Sequence, residues 1–343
     1  MDDNDTRRPI RLDDVRALHR FFRERRSDVA PARADAGIYF QNQLEFVIQQ
    51  AYEHKLVELK MANGQVIPIR SSIPRGAKTW SYEMFEPVGF AKFLTTASWR
   101  DIPRADVTGS KTIGHVAEFG VGYGYTLGEI EESQFANKPL TAMKATATRR
   151  AWDQLLNTTG ITGSTERNLQ GFTNHPNITV ADAAIGAAGS GSFSWTRTTD
   201  PKTGLEMIED LNDGIDTMLD LTGGVERPTH IALSRAYMRR LQTTRVGTDL
   251  STTALKIFRE DNPEIQEMIV LEDLDTASTG GAHAAMFWRQ DPQALWLEVP
   301  IGFEQHGPQQ DGLEFGVMTR GSTAGVICVY PLSVLRMDFD GDA

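Results

Sequence analysis

Lys111-Thr-Ile-Gly-His-Val-Ala-Glu-Phe-Gly-Val-Gly-Tyr-Gly-Tyr-Thr-Leu127 alternates from end to end. Successive side chains of a strand point to opposite faces. Ile113, His115, Ala117, Phe119, Val121, Tyr123, Tyr125 and Leu127 therefore share one face, and Gly114, Val116, Glu118, Gly120, Gly122, Gly124 and Thr126 share the other. At about 3.3 Å per residue such a strand extends for roughly 50 Å, whereas ordinary strands span about 17–20 Å. It must bend or leave the body of its domain. A second alternating set, Trp80, Tyr82, Met84, Val88 and Phe90, precedes it. The two together predict a long two-stranded arm whose tip lies between Lys92 and Lys111.

The glycines at 120, 122, 124 and 128 invite a nucleotide-binding reading. A phosphate loop needs a tight strand-to-helix turn that aims backbone N–H groups at the anion, followed by Lys-Ser/Thr. These glycines instead alternate within a strand, and no such pair follows, so a structural strand is expected.

Upstream, residues Met1 to Asp35 interleave Asp with Arg around a weak helical repeat, Leu12, Val15, Leu18 and Phe22. That is too little apolar surface to fold alone, so the segment reads either as an arm tied down by neighbouring subunits or as a solvated helix on the same chain. Phe40 to Tyr52 reads as an amphipathic helix. Asn63-Gly64 between the apolar runs of Val57 to Ile69 reads as a hairpin turn.

Downstream, Asn137 as N-cap and Pro139 in the first turn open a helix with Leu140, Met143, Ala147, Ala151 and Leu155 on one face, stopped near Gly160. Ile161 to Asn177 reads as a polar loop, and Ala181 to Ser194 as a surface loop. From Gly204 the pattern becomes α/β. Helices are expected on Leu205 to Leu219, after Ser234 and after Ser251, and strands at Thr229–Leu233, Met268–Leu271, Ala284–Trp288, Ala294–Val299, Leu313–Thr319, Ala324–Val329 and Ser333–Phe339.

No catalytic set emerges. The seven histidines do not cluster, one cysteine allows neither CxxC nor an internal disulfide, and no Gly-x-Ser-x-Gly elbow occurs. Cys328 lies in an apolar run and reads as a small core residue. His115 reads as a structural histidine, and Glu129, Glu131 and Glu132 as charges at a helix entrance. Asp338-Phe-Asp340-Gly-Asp342 resembles a fragment of a calcium loop without its distal Glu and reads as an acidic tail. The 343 residues carry a net charge of −11, which argues against nucleic-acid binding. Neither a signal peptide nor a span of roughly 20 apolar residues is present, so assembly in the cytoplasm, without a membrane, is expected.

The order of arm, long hairpin, long helix and α/β module resembles the Hong Kong 97 (HK97)-like capsid fold of tailed-bacteriophage major capsid proteins. Lys111-Thr-Ile-Gly-His-Val-Ala-Glu118 looks like the strand returning from that family's E-loop. Asn137 to Thr159 is similar to its spine helix, and Asn168-Leu-Gln-Gly-Phe-Thr-Asn174 resembles the turn that follows. The resemblance spans roughly Gly37 to Phe339. It implies an α+β fold with an N-terminal arm at 1–36, the first part of a P-domain at 37–77, and an E-loop β-hairpin with P-domain strands at 78–127. A spine helix in the P-domain at 128–177, an α/β A-domain at 178–325 and a return to the P-domain at 326–343 complete it. It further implies a structural protein of the virion, with no catalytic residue, cofactor or metal. Pentamers and hexamers would enclose DNA without sequence-specific binding, alongside scaffold, portal and decoration partners, the scaffold being a separate protein or dispensed with. Lys92, Phe93, Trp99, Arg100, Arg104 and Lys111, at or beside the E-loop tip, are the inter-subunit contact candidates. Some relatives crosslink Lys to Asn between subunits, but no sequence rule assigns that to Lys78, Lys92 or Lys111. An encapsulin-like nanocompartment shell and a soluble enzyme with an unrecognised site are the alternatives.

Overall fold

The computed structural model describes residues 56–93, 104–136, 138–186, 193–196, 201–246 and 252–339. The chain divides into two units, Met1–Val57 and Glu58–Ala343, and the second is described below. Its elements begin with β1 (Ile69–Arg70), β2 (Thr79–Val88), β3 (Asp106–His115), β4 (Ala117–Phe119) and β5 (Gly122–Thr126). Helices α1 (Leu127–Phe135) and α2 (Leu140–Thr162) follow, then β6 (Thr179–Asp182), α3 (Gly204–Thr222), β7 (His230–Leu233) and α4 (Arg235–Thr243). Next come β8 (Arg245–Val246), β9 (Thr252–Thr253), α5 (Ala254–Asp261), β10 (Glu267–Val270), β11 (Ala284–Trp288) and β12 (Leu295–Glu298). The last are β13 (Ile301–Gln305), β14 (Gln309–Asp311), β15 (Glu314–Thr323), β16 (Gly325–Cys328) and β17 (Val334–Asp338).

One sheet runs in the order β10-β7-β11-β17-β6. Its strands β7 and β11 are buried along their whole length, because the sheet is covered on both faces and alternation then carries no polar side. Ile231, Leu233, Ala285, Phe287, Leu335 and Met337 point into one core with Met207, Leu211 and Ile215 of α3, Tyr237 and Leu241 of α4 and Phe258 of α5. Ala232, Ala284, Met286, Trp288 and Val334 point into the other, with Met61, Val66, Ile67, Trp152 and Leu156 of α2, Phe172, Leu297 and Cys328. The sheet takes β17 from beyond the boundary expected at residue 325. The core under α3 contains a buried ion pair, Lys202 Nζ to Asp210 Oδ2 at 2.7 Å, and Trp195 Nε1 donates to the same carboxylate. Burial pushes the Asp210 carboxyl up, and the Lys202 ammonium opposes that shift.

The expected hairpin at Asn63-Gly64 does not form. Asn63 N bonds to Leu59 O and Gln65 N to Lys60 O, a helical turn closed by Gly64 at φ 72°. Met61, Val66 and Ile67 are all fully buried, and two adjacent inward residues cannot be alternating positions of one half-exposed strand. Ile69 and Arg70 pair with β12 instead.

The long strand is continuous in path but changes partner. β3 pairs with β2 over ten residues, Thr79 opposite His115 through Val88 opposite Asp106. β4 and β5 pair with β15. The sheltered face changes at Val116, so Ile113 and His115 are exposed while Phe119, Val121, Tyr123 and Tyr125 are partly buried. One apolar face from Ile113 to Leu127 was the expectation, and the change of partner overturns it. The glycines at 122 and 124 lie in the ladder opposite Met318 and Gly316, which excludes a phosphate loop there.

Helix α1 is entered by a reciprocal cap: Glu129 N donates to Thr126 Oγ1 and Thr126 N to Glu129 Oε2. Lys144 of α2 bridges to Glu129 at 3.0 Å. Helix α2, 23 residues and about 35 Å long, runs past Gly160 and ends at Gly163. The expected caps Asn137 and Ser251 lie outside the described residues. Asp338 turns inward, held by Arg336 at 2.8 Å and by Thr279. Its carboxylate is thus occupied within the fold, and Asp340 and Asp342 lie outside the described residues.

Candidate inter-subunit surface

The β2–β3 hairpin is anchored at its base. Glu298, fully buried, accepts hydrogen bonds from Ser72 N (2.6 Å), Ser72 Oγ (2.7 Å), Ile73 N (2.8 Å) and Trp296 Nε1 (2.8 Å), fixing the segment that leads into β2. Val116 N bonds to Lys78 O at 2.9 Å where the strands diverge. Lys78 and Glu118 form an exposed ion pair at 3.0 Å, and the Lys78 ammonium lowers the Glu118 carboxyl from its ordinary value. Tyr82 Oη donates to Cys328 O at 3.2 Å. Trp80 stacks near Tyr82, with centroids 5.9 Å apart, and lies across Gly114, its direct cross-strand partner. A Cβ on Gly114 would stand 2.3 Å from that indole, so only glycine admits this approach.

Between the base and the body lies a cavity lined by Trp80, Tyr82, Gly114, His175, Val326 and Cys328 among others. Burial lowers His175 to about 4, so its imidazole is neutral at physiological pH. Its Nδ1 accepts from Asn177 N at 3.3 Å. Burial pushes the Cys328 thiol up to about 12, which leaves it an inert core group.

Beyond Met84 the shelter ends. Phe85, Val88, Phe90, Phe93 and Val107 are all exposed, Phe93 fully at 104%. Lys92, Phe93 and Arg104 lie exposed beside the tip. Lys111 belongs inside the ladder, opposite Glu83, so the tip is narrower than the lysine-to-lysine segment expected: pairing runs as far as Val88 and Asp106. Trp99 and Arg100 lie outside the described residues. Phe85 and Val107 were missed because an apolar residue on the outer face of an alternating strand reads as incidental. The available signal is that a two-stranded ribbon has no second layer to cover either face.

No three His, Cys, Asp or Glu side chains converge as metal ligands among the described residues, and no described helix is long and apolar enough to cross a membrane. Residues 89–339 match the family model for the major capsid protein.

The chain belongs to the major capsid protein family.

This capsid protein is similar in structure to the capsid of Myoviridae phage XM1, with 13% sequence identity and a TM-score of 0.71 over 86% of this chain and 97% of that one. It is also similar to the capsid of a native GTA particle, at 9% identity and a TM-score of 0.60, covering 87% and 96% of the two chains. Microbacterium phage Oxtober96 gives 13% identity and a TM-score of 0.57, covering 87% and 93%. No curated protein matches the sequence. The fold is α+β and HK97-like, and the protein is a structural component of the virion shell rather than an enzyme.

Proposed function

We propose that this capsid protein closes into pentamers and hexamers of an icosahedral head, assembled in the host cytoplasm around a scaffold or without one and enclosing double-stranded DNA. In this reading 1–36 is an arm to a neighbour, 78–115 is the E-loop, 128–177 carries the spine helix, and the module from 178 faces the capsomer axis. The observation that carries it is the hairpin beyond Met84, which leaves Phe85, Val88, Phe90, Phe93 and Val107 in water. Burial is worth about 25 cal/mol per Å² of apolar surface, and a two-stranded ribbon is marginal by itself. A neighbouring subunit laid under the hairpin supplies the missing layer. Lys92, Phe93, Trp99, Arg100, Arg104 and Lys111 would lie at or beside that contact. The net charge of −11 keeps enclosed DNA from adhering to the wall.

Electron microscopy and light scattering of the purified protein test this. Rings of five or six and closed shells are expected, with nucleic acid inside particles taken from infected cells. A stable monomer at high concentration would overturn the reading. Shells filled with a protein cargo would point to a nanocompartment instead.

A further inference from the structure

The helical layer over the five-stranded sheet holds two sets of like charges of opposite sign. On α3, Glu209, Asp213, Asp216 and Asp220 are exposed and recur at intervals of three and four residues, which places them in one row. None of these carboxylates is paired with a cation among the described residues. Like charges at that spacing repel and weaken the helix that bears them. On α4, Arg235 and Arg239 are exposed one turn apart, and the helix contains no acid. Arg235 reaches Glu272 at 3.4 Å, with both side chains largely in water. Such a contact contributes little. Helix α5 packs against both α3 and α4, and Asn262 at its end donates to Asn212 of α3 at 3.0 Å. No ion pair joins the acidic row of α3 to Arg235 or Arg239 among the described residues, where Arg235 pairs with Glu272 instead.

We propose that they meet between copies: the acidic row of α3 in one subunit faces Arg235 and Arg239 of α4 in the next. The occupant is a second copy because this chain carries both halves of the contact. A two-fold axis on the α3 row would set acid against acid, and a ring-forming shell calls for the head-to-tail pairing, in which the α3 row of one copy meets α4 of the next. Two different patches joined by a rotation close a ring when that rotation divides a full turn, as five- and six-fold capsomers require. The inference rests on the shell reading and names the charges that set subunit order around a capsomer.

Charge reversal in the full chain tests it. Asp213→Arg with Asp216→Arg, or Arg235→Glu with Arg239→Glu, should each lower the assembled fraction about tenfold or more where the parent protein assembles, because like charges then face each other. All four substitutions together should restore rings, since complementarity returns with its polarity inverted. Raising NaCl should weaken assembly of the parent. Either pair assembling like the parent, or the fourfold variant doing no better than the pairs, overturns the proposal and leaves the shell reading standing. Loss with the α3 pair alone would assign the acids to another partner and overturns it as well. A parent protein that never assembles defeats the shell reading itself. Circular dichroism monitors folding. Should a reversed pair misfold, Asp213→Asn with Asp216→Asn and Arg235→Gln with Arg239→Gln carry the comparison, each expected to flatten the salt dependence. An unchanged salt dependence in both overturns the proposal.

Discussion

Glu298 shows how much of the hairpin's placement depends on single buried groups. It takes four hydrogen bonds, three of them from residues 72 and 73, which lie 226 and 225 positions away. Glu298→Ala strands those donors, and an unsatisfied buried polar group costs about 1–3 kcal/mol. We expect a loss of about 3 kcal/mol or more in urea unfolding, and a loss below about 1 kcal/mol would show that the cage holds nothing. His175 sets a pH dependence. Its pKa is about 4 in the folded protein against an ordinary 6.5, so below pH 6.5 the unfolded chain binds the extra proton. Stability is therefore full above that value and declines as pH falls toward 4, by about 2 kcal/mol at pH 5. His175→Gln should remove that fraction of the difference between pH 7.5 and pH 5, and an undiminished difference would assign it elsewhere. Neither role is legible in the sequence. Glu298 falls within the strand expected at Ala294–Val299 and His175 within a polar loop, and neither reading singles them out, because their partners come from distant segments.

At the scale of elements, what could be read was what local pattern determines. Trp80, Tyr82 and Met84 alternate as they were expected to, and β2 and β3 pair as one long ribbon. The reciprocal cap at Thr126 and Glu129 and the amphipathic α3 follow equally from local spacing. The change of partner at Val116 does not, because β15 lies nearly two hundred residues further on and alternation is blind to which strand is opposite. The Asn63-Gly64 pair misled because a glycine at positive φ closes a helical turn as readily as a hairpin. Of the contact candidates, the ladder fixes Lys111 and leaves Lys92 and Arg104 next to the tip. Trypsin should therefore cut dissociated subunits after Lys92 and Arg104, where backbone pairing has ended, sooner than after Lys111. Assembled particles should resist at both sites, as a neighbour covers the tip. Equal cleavage of particles and subunits would remove the hairpin from the interface. Trp99→Ala should weaken assembly by about 2 kcal/mol if the indole anchors the contact, with the urea midpoint of the subunit unchanged. A lowered midpoint would instead return Trp99 to its own chain's core.

At the scale of the whole molecule, the two hydrophobic cores found among the described residues lie within Glu58–Ala343. Residues 1–35 contain few large apolar side chains and many Arg and Asp, a composition that contributes little to a core and that suits charged contacts screened by salt. Deleting 1–35 should leave the thermal melt of the subunit within a few degrees of the parent, because so polar a segment has little apolar surface to lend a core. Assembly should fall, since each arm contact is repeated at every symmetry-related position and small losses per site multiply over a shell. In the full-length protein, raising the ionic strength should move assembly toward that of the truncated one, as the same charges are screened. Light scattering at matched protein concentrations decides the matter. Truncated protein that forms shells as readily as the parent, at low and at high salt, would leave the arm without a role between subunits and place the whole of the association energy in the hairpin and the capsomer contacts.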